Sequence, residues 1–190
     1  LDVPLEYMLD DWVPDGELTE VPPVSQTQAV TAELERLVAD INAAQNPMII
    51  TEFAGRVPGA FEALIAFADA GAIPVIGGRT STYGNFPINH SLWLGIESYD
   101  YLSDADLVLL IGSRTPWYPP SNYPTAAKII AIGDHPHKEW LVYQVMHANA
   151  YLEGDLAATL NAATAMLNYT GPSDEVKNSR RTKWSKVHTA

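Results

Sequence analysis

The chain has 190 residues, of which 47% are hydrophobic and 18% are charged, a composition that predicts one well-buried globular domain. A net charge of −12 leaves no basic field for a phosphate backbone, so we expect no nucleic-acid partner. Because cysteine is absent, disulfides, thiolate nucleophiles, iron–sulfur clusters and cysteine-ligated zinc are excluded, which favours a cytoplasmic protein. No apolar run approaches the roughly 20 residues of a membrane span, so we expect no membrane association.

Composition divides the chain into three parts. Residues 1–24 are acidic and contain several prolines, which predicts an arm or linker without regular structure. Residues 25–170 carry the periodic apolar patterns of a folded domain. Residues 171–190 contain five of the eleven Lys and Arg residues, and we expect them to form a basic, flexible tail.

The first half of the domain alternates between helices and strands. Residues 25–28 have the pattern of a capping box, and apolar residues at helical spacing follow as far as Ile41, which predicts a helix of about five turns. Short buried strands are predicted at residues 48–51 and 73–76, with a second helix between them over residues 58–71. This order is typical of a parallel sheet with right-handed crossovers.

The second half of the domain continues the pattern. Its predicted elements are a long loop (77–95), a short helix (98–103), three strands (107–111, 127–132 and 150–152) and a helix that Asp155 caps. The strand at residues 107–111 consists of five consecutive apolar residues closed by Gly112, the pattern of a parallel strand buried on both faces. We therefore expect this strand at the centre of the sheet.

Three strand ends should meet at one edge of the sheet, because the carboxyl ends of parallel strands lie at the same edge. Glycines at these ends allow a close approach to a ligand, and Arg56 and Arg114 can each clamp a phosphate or a carboxylate. The alternative is that both arginines pair with surface acids and that the glycines only turn the chain. The candidate crevice comprises Gly55, Arg56, Gly112, Ser113, Arg114, Gly133 and Asp134.

Motifs for other chemistries are absent from the sequence. No Gly-x-Gly-x-x-Gly fingerprint follows the first strand, and no phosphate loop ends in Gly-Lys-Ser or Gly-Lys-Thr. His135, His137 and His147 are close in sequence, but no regular element places them on one face, so we predict no metal site. Without a Gly-x-Ser-x-Gly turn or an assigned partner for the histidines, we assign no catalytic residue.

Five motifs nevertheless occur in a characteristic order. They are Pro47-Met48-Ile49-Ile50, Gly71-Ala72-Ile73-Pro74-Val75, Asn89-His90 with Gly95, the run from Ala105 to Arg114, and Lys128-Ile129-Ile130-Ala131-Ile132. Over about residues 25–167 this order resembles the central domain of thiamin-diphosphate-dependent enzymes, in particular the acetolactate synthase large-subunit branch. The resemblance implies a Rossmann-like open parallel sheet of five to six strands with helices on both faces, a three-layer α/β/α domain.

The resemblance also implies how such a domain is used. Thiamin diphosphate and Mg²⁺ would be bound by flanking pyrimidine- and pyrophosphate-binding domains, which residues 1–24 and 171–190 would join to this one. The parent enzyme would be a homo-oligomeric lyase or transferase acting on 2-oxo acids or related carbonyl compounds. This chain alone would be inactive.

Some members of the family bind FAD or ADP in the central domain. Gly112-Ser113-Arg114 fits their Gly-x-Arg pattern, so the resemblance makes Arg114 the best candidate to touch a cofactor. However, Asp134 is displaced by one position from the acidic residue that these members place after the fifth strand. We therefore favour a structural or vestigial nucleotide site over a functional FAD site.

Two other interpretations remain. The first is a stand-alone module that binds FAD or ADP without partner domains. The second is an NAD-dependent deacylase of the sirtuin type, whose sheet is similar. Such deacylases normally carry a four-cysteine zinc module, so the absence of cysteine argues against this interpretation.

Overall fold

A parallel sheet with helices on both faces forms the framework of the domain. The structure, a computed structural model, describes residue 16 and residues 20–96, 99–114, 117, 122–137 and 147–188. Within these ranges the strands are β1 (Pro47–Thr51), β2 (Val75–Gly77), β3 (Trp93–Ile96), β4 (Leu107–Ile111), β5 (Lys128–Gly133) and β6 (Ala150–Glu153). The α-helices are α1 (Thr31–Ala43), α2 (Ala60–Gly71), α3 (Tyr99–Leu102), α4 (Leu156–Thr170) and α5 (Asp174–His188). None of these helices is long and apolar enough to cross a membrane.

The six strands are parallel and lie in the order β3-β2-β1-β4-β5-β6. Strand β4 pairs with β1 on one side and with β5 on the other, and its residues are all buried. The predicted central position of residues 107–111 is therefore confirmed. The strand order reverses direction between β1 and β4, which is where open α/β sheets form a crevice.

Alternate residues of the strands face two separate cores, because successive side chains of a strand point to opposite faces. Ile49 and Leu109 belong to a core that α1, α2 and α4 cover. Ile50 and Leu110 belong to a second core, to which Leu102 of α3 and other side chains contribute. The predicted α/β class, with a parallel open sheet and helices on both faces, is confirmed.

Helix α1 is shorter than the sequence pattern predicts. The predicted capping box at residues 25–28 is wrong, because α1 begins after it, and the described residues provide no side-chain cap for the helix. Instead, the carbonyl of Thr27 accepts a hydrogen bond from the Asp155 amide at 2.9 Å. The amide of Ala29 donates to the hydroxyl of Thr159 at 3.2 Å. These contacts tie the segment to the start of α4 and outweigh the local capping preference.

Strand β3 lies at the end of the segment predicted to be one long loop, residues 77–95. Its residues are only partly buried, and its pairing with β2 is irregular. Gly95 within the strand has a φ of +93°, a conformation that favours glycine. A short, half-buried edge strand containing a glycine lacks the continuous apolar run that identifies central strands.

The end of the chain departs most clearly from expectation. We predicted a flexible tail over residues 171–190, but α5 occupies most of this segment. Arg180 and Trp184, one helical turn apart, are only 5% and 4% exposed. The prediction of a poorly ordered tail is therefore wrong for residues 174–188, because one narrow stripe of this charged helix is buried.

Candidate functional site

A cavity of about 450 Å³ opens at the carboxyl ends of β1, β4 and β5, next to the start of α4. Its volume is in the range of small-molecule sites, and it lies where the strand order reverses. Apolar side chains form much of its wall, namely Phe53, Val57, Pro58 and Leu156. The charged residues at the cavity are Arg56, Arg114, Asp134 and Asp155, with His135 beside them.

The structure brings together most of the residues proposed from the sequence. Gly112 and Gly133 come from the ends of β4 and β5, and Asp134 lines the cavity despite its displaced position. Gly55 and Ser113 are not part of the cavity wall; Ser113 is 2% exposed, and Gly55 donates its amide to Asn85 at 2.9 Å. The proposed residues that line the cavity are thus Arg56, Gly112, Arg114, Gly133 and Asp134.

Gly112 directly follows β4, lines the cavity and has a backbone conformation that favours glycine. Its φ is +51°, and a Cβ atom there would lie 3.3 Å from the backbone nitrogen of Ala54. Its carbonyl accepts a hydrogen bond from the Phe53 amide at 2.8 Å. The turns that follow β1 and β4 therefore pack backbone against backbone, at the point where the strand order reverses and the crevice opens.

A carboxylate that the sequence did not single out lies behind Arg114. Glu52 directly follows β1 and is 4% exposed. Its Oε2 accepts hydrogen bonds from the backbone amide of Arg114 at 2.9 Å and from Nε at 3.2 Å, and its Oε1 lies 3.4 Å from Nη2. The hydroxyl of Thr80 donates to Oε1 at 2.7 Å. Two strand ends and the loop after β2 thus meet at one carboxylate.

The loop after β2 is fastened to Glu52 at several points. Asn85, itself 4% exposed, donates from Nδ2 to the Glu52 carbonyl at 2.9 Å, and the Ser81 hydroxyl donates to the same carbonyl at 3.1 Å. Burial by itself raises the pKa of the Glu52 carboxyl, but the hydrogen bonds from Thr80 and Arg114 outweigh it and hold the pKa below its ordinary value. Glu52 is therefore ionised at neutral pH.

The two arginines of the cavity differ in their surroundings. The Arg114 guanidinium is paired with Glu52, contacts the Thr80 hydroxyl, and has its Cζ 5.2 Å from the centre of the Phe53 ring. Arg56 is exposed, and its side chain has no hydrogen bond or ion pair with the described part of the chain. In the described part of the chain, Arg56 is thus the unpaired cation at the cavity, whereas the Nε and Nη2 donors of Arg114 are engaged.

The two carboxylates of the cavity already accept backbone hydrogen bonds. Asp155 accepts from the amide of Ala158 at 2.8 Å, which confirms it as the N-cap of α4. Asp134 accepts from the amide of His135 at 3.0 Å. The Asp155 carboxylate thus places negative charge at the start of α4. An uncapped helix N-terminus would instead attract an anion there.

Of the histidines noted in the sequence, His135 and His137 line one small pocket together with Glu153, but their rings have different partners. His135 Nδ1 lies 3.7 Å from Glu153 Oε1, whereas the His137 ring stacks on Tyr151 with 3.8 Å between ring centres. His147 is exposed at the start of the segment that leads to β6. Among the residues that the structure describes, no three His, Asp or Glu side chains are placed to hold a metal ion.

The strand order and the crevice at its switch point define a Rossmann-like α/β domain. Residues 34–163 match the model of the family described as "thiamine pyrophosphate enzyme, central domain". The chain therefore belongs to this family of central domains. This membership argues against the interpretation as an NAD-dependent deacylase.

Solved structures show the same fold. A protein from Mycobacterium smegmatis described as a thiamin diphosphate-dependent enzyme is 28% identical, with a TM-score of 0.65, over 82% of this chain and 31% of that chain. A thiamine diphosphate-dependent 4-hydroxybenzoylformate decarboxylase from Rhodococcus jostii RHA1 has the same TM-score at 22% identity, over 82% of this chain and 30% of that one. The chain thus spans about a third of the length of both proteins.

Among the described residues, the crevice offers no cluster of three ligands for the cation of the family's magnesium diphosphate group. That cation needs oxygen ligands. Asp134 and Asp155 each already accept a backbone amide, and no third ligand joins them among the described residues. We therefore derive no catalytic step at this site.

Proposed function

We propose that this chain is the non-catalytic central domain of an acetolactate synthase-like enzyme that acts on 2-oxo acids or related carbonyl compounds. In the parent, a homo-oligomeric lyase or transferase, the pyrimidine- and pyrophosphate-binding domains on either side would hold thiamin diphosphate and Mg²⁺. The domain itself would have a structural role, and its nucleotide-type crevice would be vestigial. Residues 1–24 and 171–190 would connect it to the flanking domains.

The ion pair between Glu52 and Arg114 is the observation that carries the structural role. In a phosphate site, the guanidinium fork presents its donors to the ligand. Here Nε and Nη2 of Arg114 face a carboxylate of the same chain instead. The capped start of α4 and the carboxylate of Asp134 add negative charge to the same crevice.

Titration of the chain with thiamin diphosphate and Mg²⁺ in a calorimeter tests the non-catalytic assignment. We expect no heat of binding up to about 1 mM cofactor, which corresponds to a binding free energy weaker than about 4 kcal/mol. The flanking domains would supply this affinity in the parent enzyme. A micromolar dissociation constant for the chain alone would contradict the proposal.

A second candidate function is a module that binds FAD or ADP. The observation that favours it is the cavity of about 450 Å³, with apolar walls and an exposed Arg56. Its test is the melting temperature with and without each nucleotide, because a ligand that binds the folded state raises the melting temperature. Protection by ADP that is lost in Arg56→Ala would support the module, whereas an unchanged melting temperature would support the structural role.

A further inference from the structure

We propose that Glu52 is an internal anion that occupies Arg114 and thereby excludes pyrophosphate-bearing ligands from the crevice. The ligand class that it excludes comprises nucleoside diphosphates and their conjugates. The inference rests on the structural role proposed above and names the residue that determines it. The crevice thus has the donors of a phosphate site, and one carboxylate neutralises them.

The donors of Arg114 that face Glu52 are of the kind that binds phosphate. The Glu52 carboxylate accepts from Nε, from the backbone amide and, at 3.4 Å, from Nη2 of Arg114. A guanidinium edge with a neighbouring backbone amide is a donor combination that binds phosphate oxygens. Glu52 lies behind Arg114 and not in the cavity wall, but it takes the Nε, Nη2 and amide donors and neutralises the positive charge that an oxyanion of a ligand would need.

Glu52 cannot simply move aside. Its side chain is almost completely buried, and the Thr80 hydroxyl, which also contacts Nη2 of Arg114, donates to Oε1. The backbone of Gly78 packs so closely that a Cβ atom there would overlap Cγ of Glu52. A ligand that took Arg114 would leave a buried carboxylate without its cation, which is strongly unfavourable.

The rest of the crevice retains features that a nucleotide needs. Apolar walls from Phe53 and Leu156 line it, and the exposed Arg56 lies at the same cavity. Gly112 and Gly133 leave the strand ends free of side chains. Removing the charge of residue 52 should therefore raise the phosphate affinity, while Asp134 and Asp155 keep their negative charge at the same cavity.

The test measures the affinity of inorganic pyrophosphate and of ADP by calorimetry for the chain and for Glu52→Gln. The amide has the shape of the carboxylate and can still accept from Thr80 or Arg114, but it does not neutralise the guanidinium. We expect Glu52→Gln to bind both probes at least about 10-fold more tightly than the unmodified chain, a difference of about 1.4 kcal/mol. Glu52→Gln/Arg114→Gln should lose this gain.

Glu153→Gln is the matched control for charge. Glu153 is an exposed carboxylate whose side chain is 68% accessible, so the variant changes the net charge equally without touching Arg114. An equal gain in Glu153→Gln would overturn the inference, because the effect would then be a general one of net charge. No gain in a folded Glu52→Gln, verified by circular dichroism, would also overturn it.

A variant that shortens the side chain covers the case in which Glu52→Gln does not fold. Glu52→Asp keeps the charge but withdraws the carboxylate by one methylene, so a smaller gain in the same direction is expected, and its absence would overturn the inference. If the unmodified chain already binds ADP through Arg114, both the inference and the structural role fail. If only the gain is missing, the structural role stands.

Discussion

The guanidinium of Arg180 donates a hydrogen bond of 2.8 Å to the carbonyl of Gly71, the last residue of α2. The same side chain donates to the carbonyls of Ile41 at 2.9 Å and Ala44 at 2.6 Å, at the end of α1. The last carbonyls of a helix have no partner within the helix, and burial without one is costly. One side chain of α5 thus satisfies the ends of two helices.

Arg180→Ala should destabilise the domain by about 3 kcal/mol, because it leaves buried carbonyls without donors. The free energy of unfolding in urea measures the change. Lys177→Ala is the control on the same helix, since Lys177 pairs with the exposed Asp174 at 3.3 Å, an interaction worth about 0.5 kcal/mol. Equal losses for the two variants would show that the capping contacts do not stabilise the fold.

Gly78→Ala should destabilise the domain by about 2 kcal/mol or more, because the new methyl group would overlap the buried side chain of Glu52. Gly133→Ala is the matched control within the crevice, where no described atom lies within 4 Å of the added Cβ. We expect it to change the free energy of unfolding by less than about 0.5 kcal/mol. Comparable losses would argue against the close packing of Glu52.

The stability of the domain should depend on pH through Glu52. Because its pKa in the folded state is below its ordinary value of about 4.3, ionisation of Glu52 stabilises the fold above that pH. This contribution is lost as the pH falls through the folded pKa. The difference in unfolding free energy between the unmodified chain and Glu52→Gln should therefore be constant from pH 7 to about 5 and shrink below about 4.3. A difference that grows on acidification would contradict the assignment.

Asp155→Ala should destabilise α4 by about 1 kcal/mol, the usual effect of removing an N-cap acceptor. Asp155 accepts from the amide of Ala158 and also lines the crevice, so its charge and its capping role can be separated. Asp155→Asn retains the acceptor and should retain most of the stability. Urea unfolding of the two variants measures the difference, and a loss in Asp155→Asn as large as in Asp155→Ala would assign the effect to charge instead.

Most of the sheet could be predicted because its central strands are buried on both faces. The runs at β1, β4 and β5 are continuous and apolar, and such a run can be recognised from a few neighbouring residues alone. Strand β3 has no such run, since it lies at the edge and is half-buried. The capping box at residues 25–28 was an adequate local signal, but contacts with α4 outweigh it.

The candidate crevice could be predicted only in part. Its location follows from the direction of the strands, and its glycines and arginines follow from the residues at their ends. Glu52 was missed because its partners are remote in sequence: Arg114 lies 62 residues away and Thr80 lies 28 residues away. The sequence therefore indicates which arginines lie near the crevice, but not which of them is paired with a buried carboxylate.

By itself, the sequence determined the α/β class, the central place of residues 107–111, the edge at which the crevice opens and the resemblance to a family. These properties depend on local periodicity and on the order of elements along the chain. Only the tertiary structure decided that residues 174–188 form a docked helix and that a buried carboxylate holds Arg114. Both depend on buried polar contacts between residues that are distant in sequence, namely Arg180 with Gly71 and Glu52 with Arg114. The local sequence pattern does not indicate such contacts.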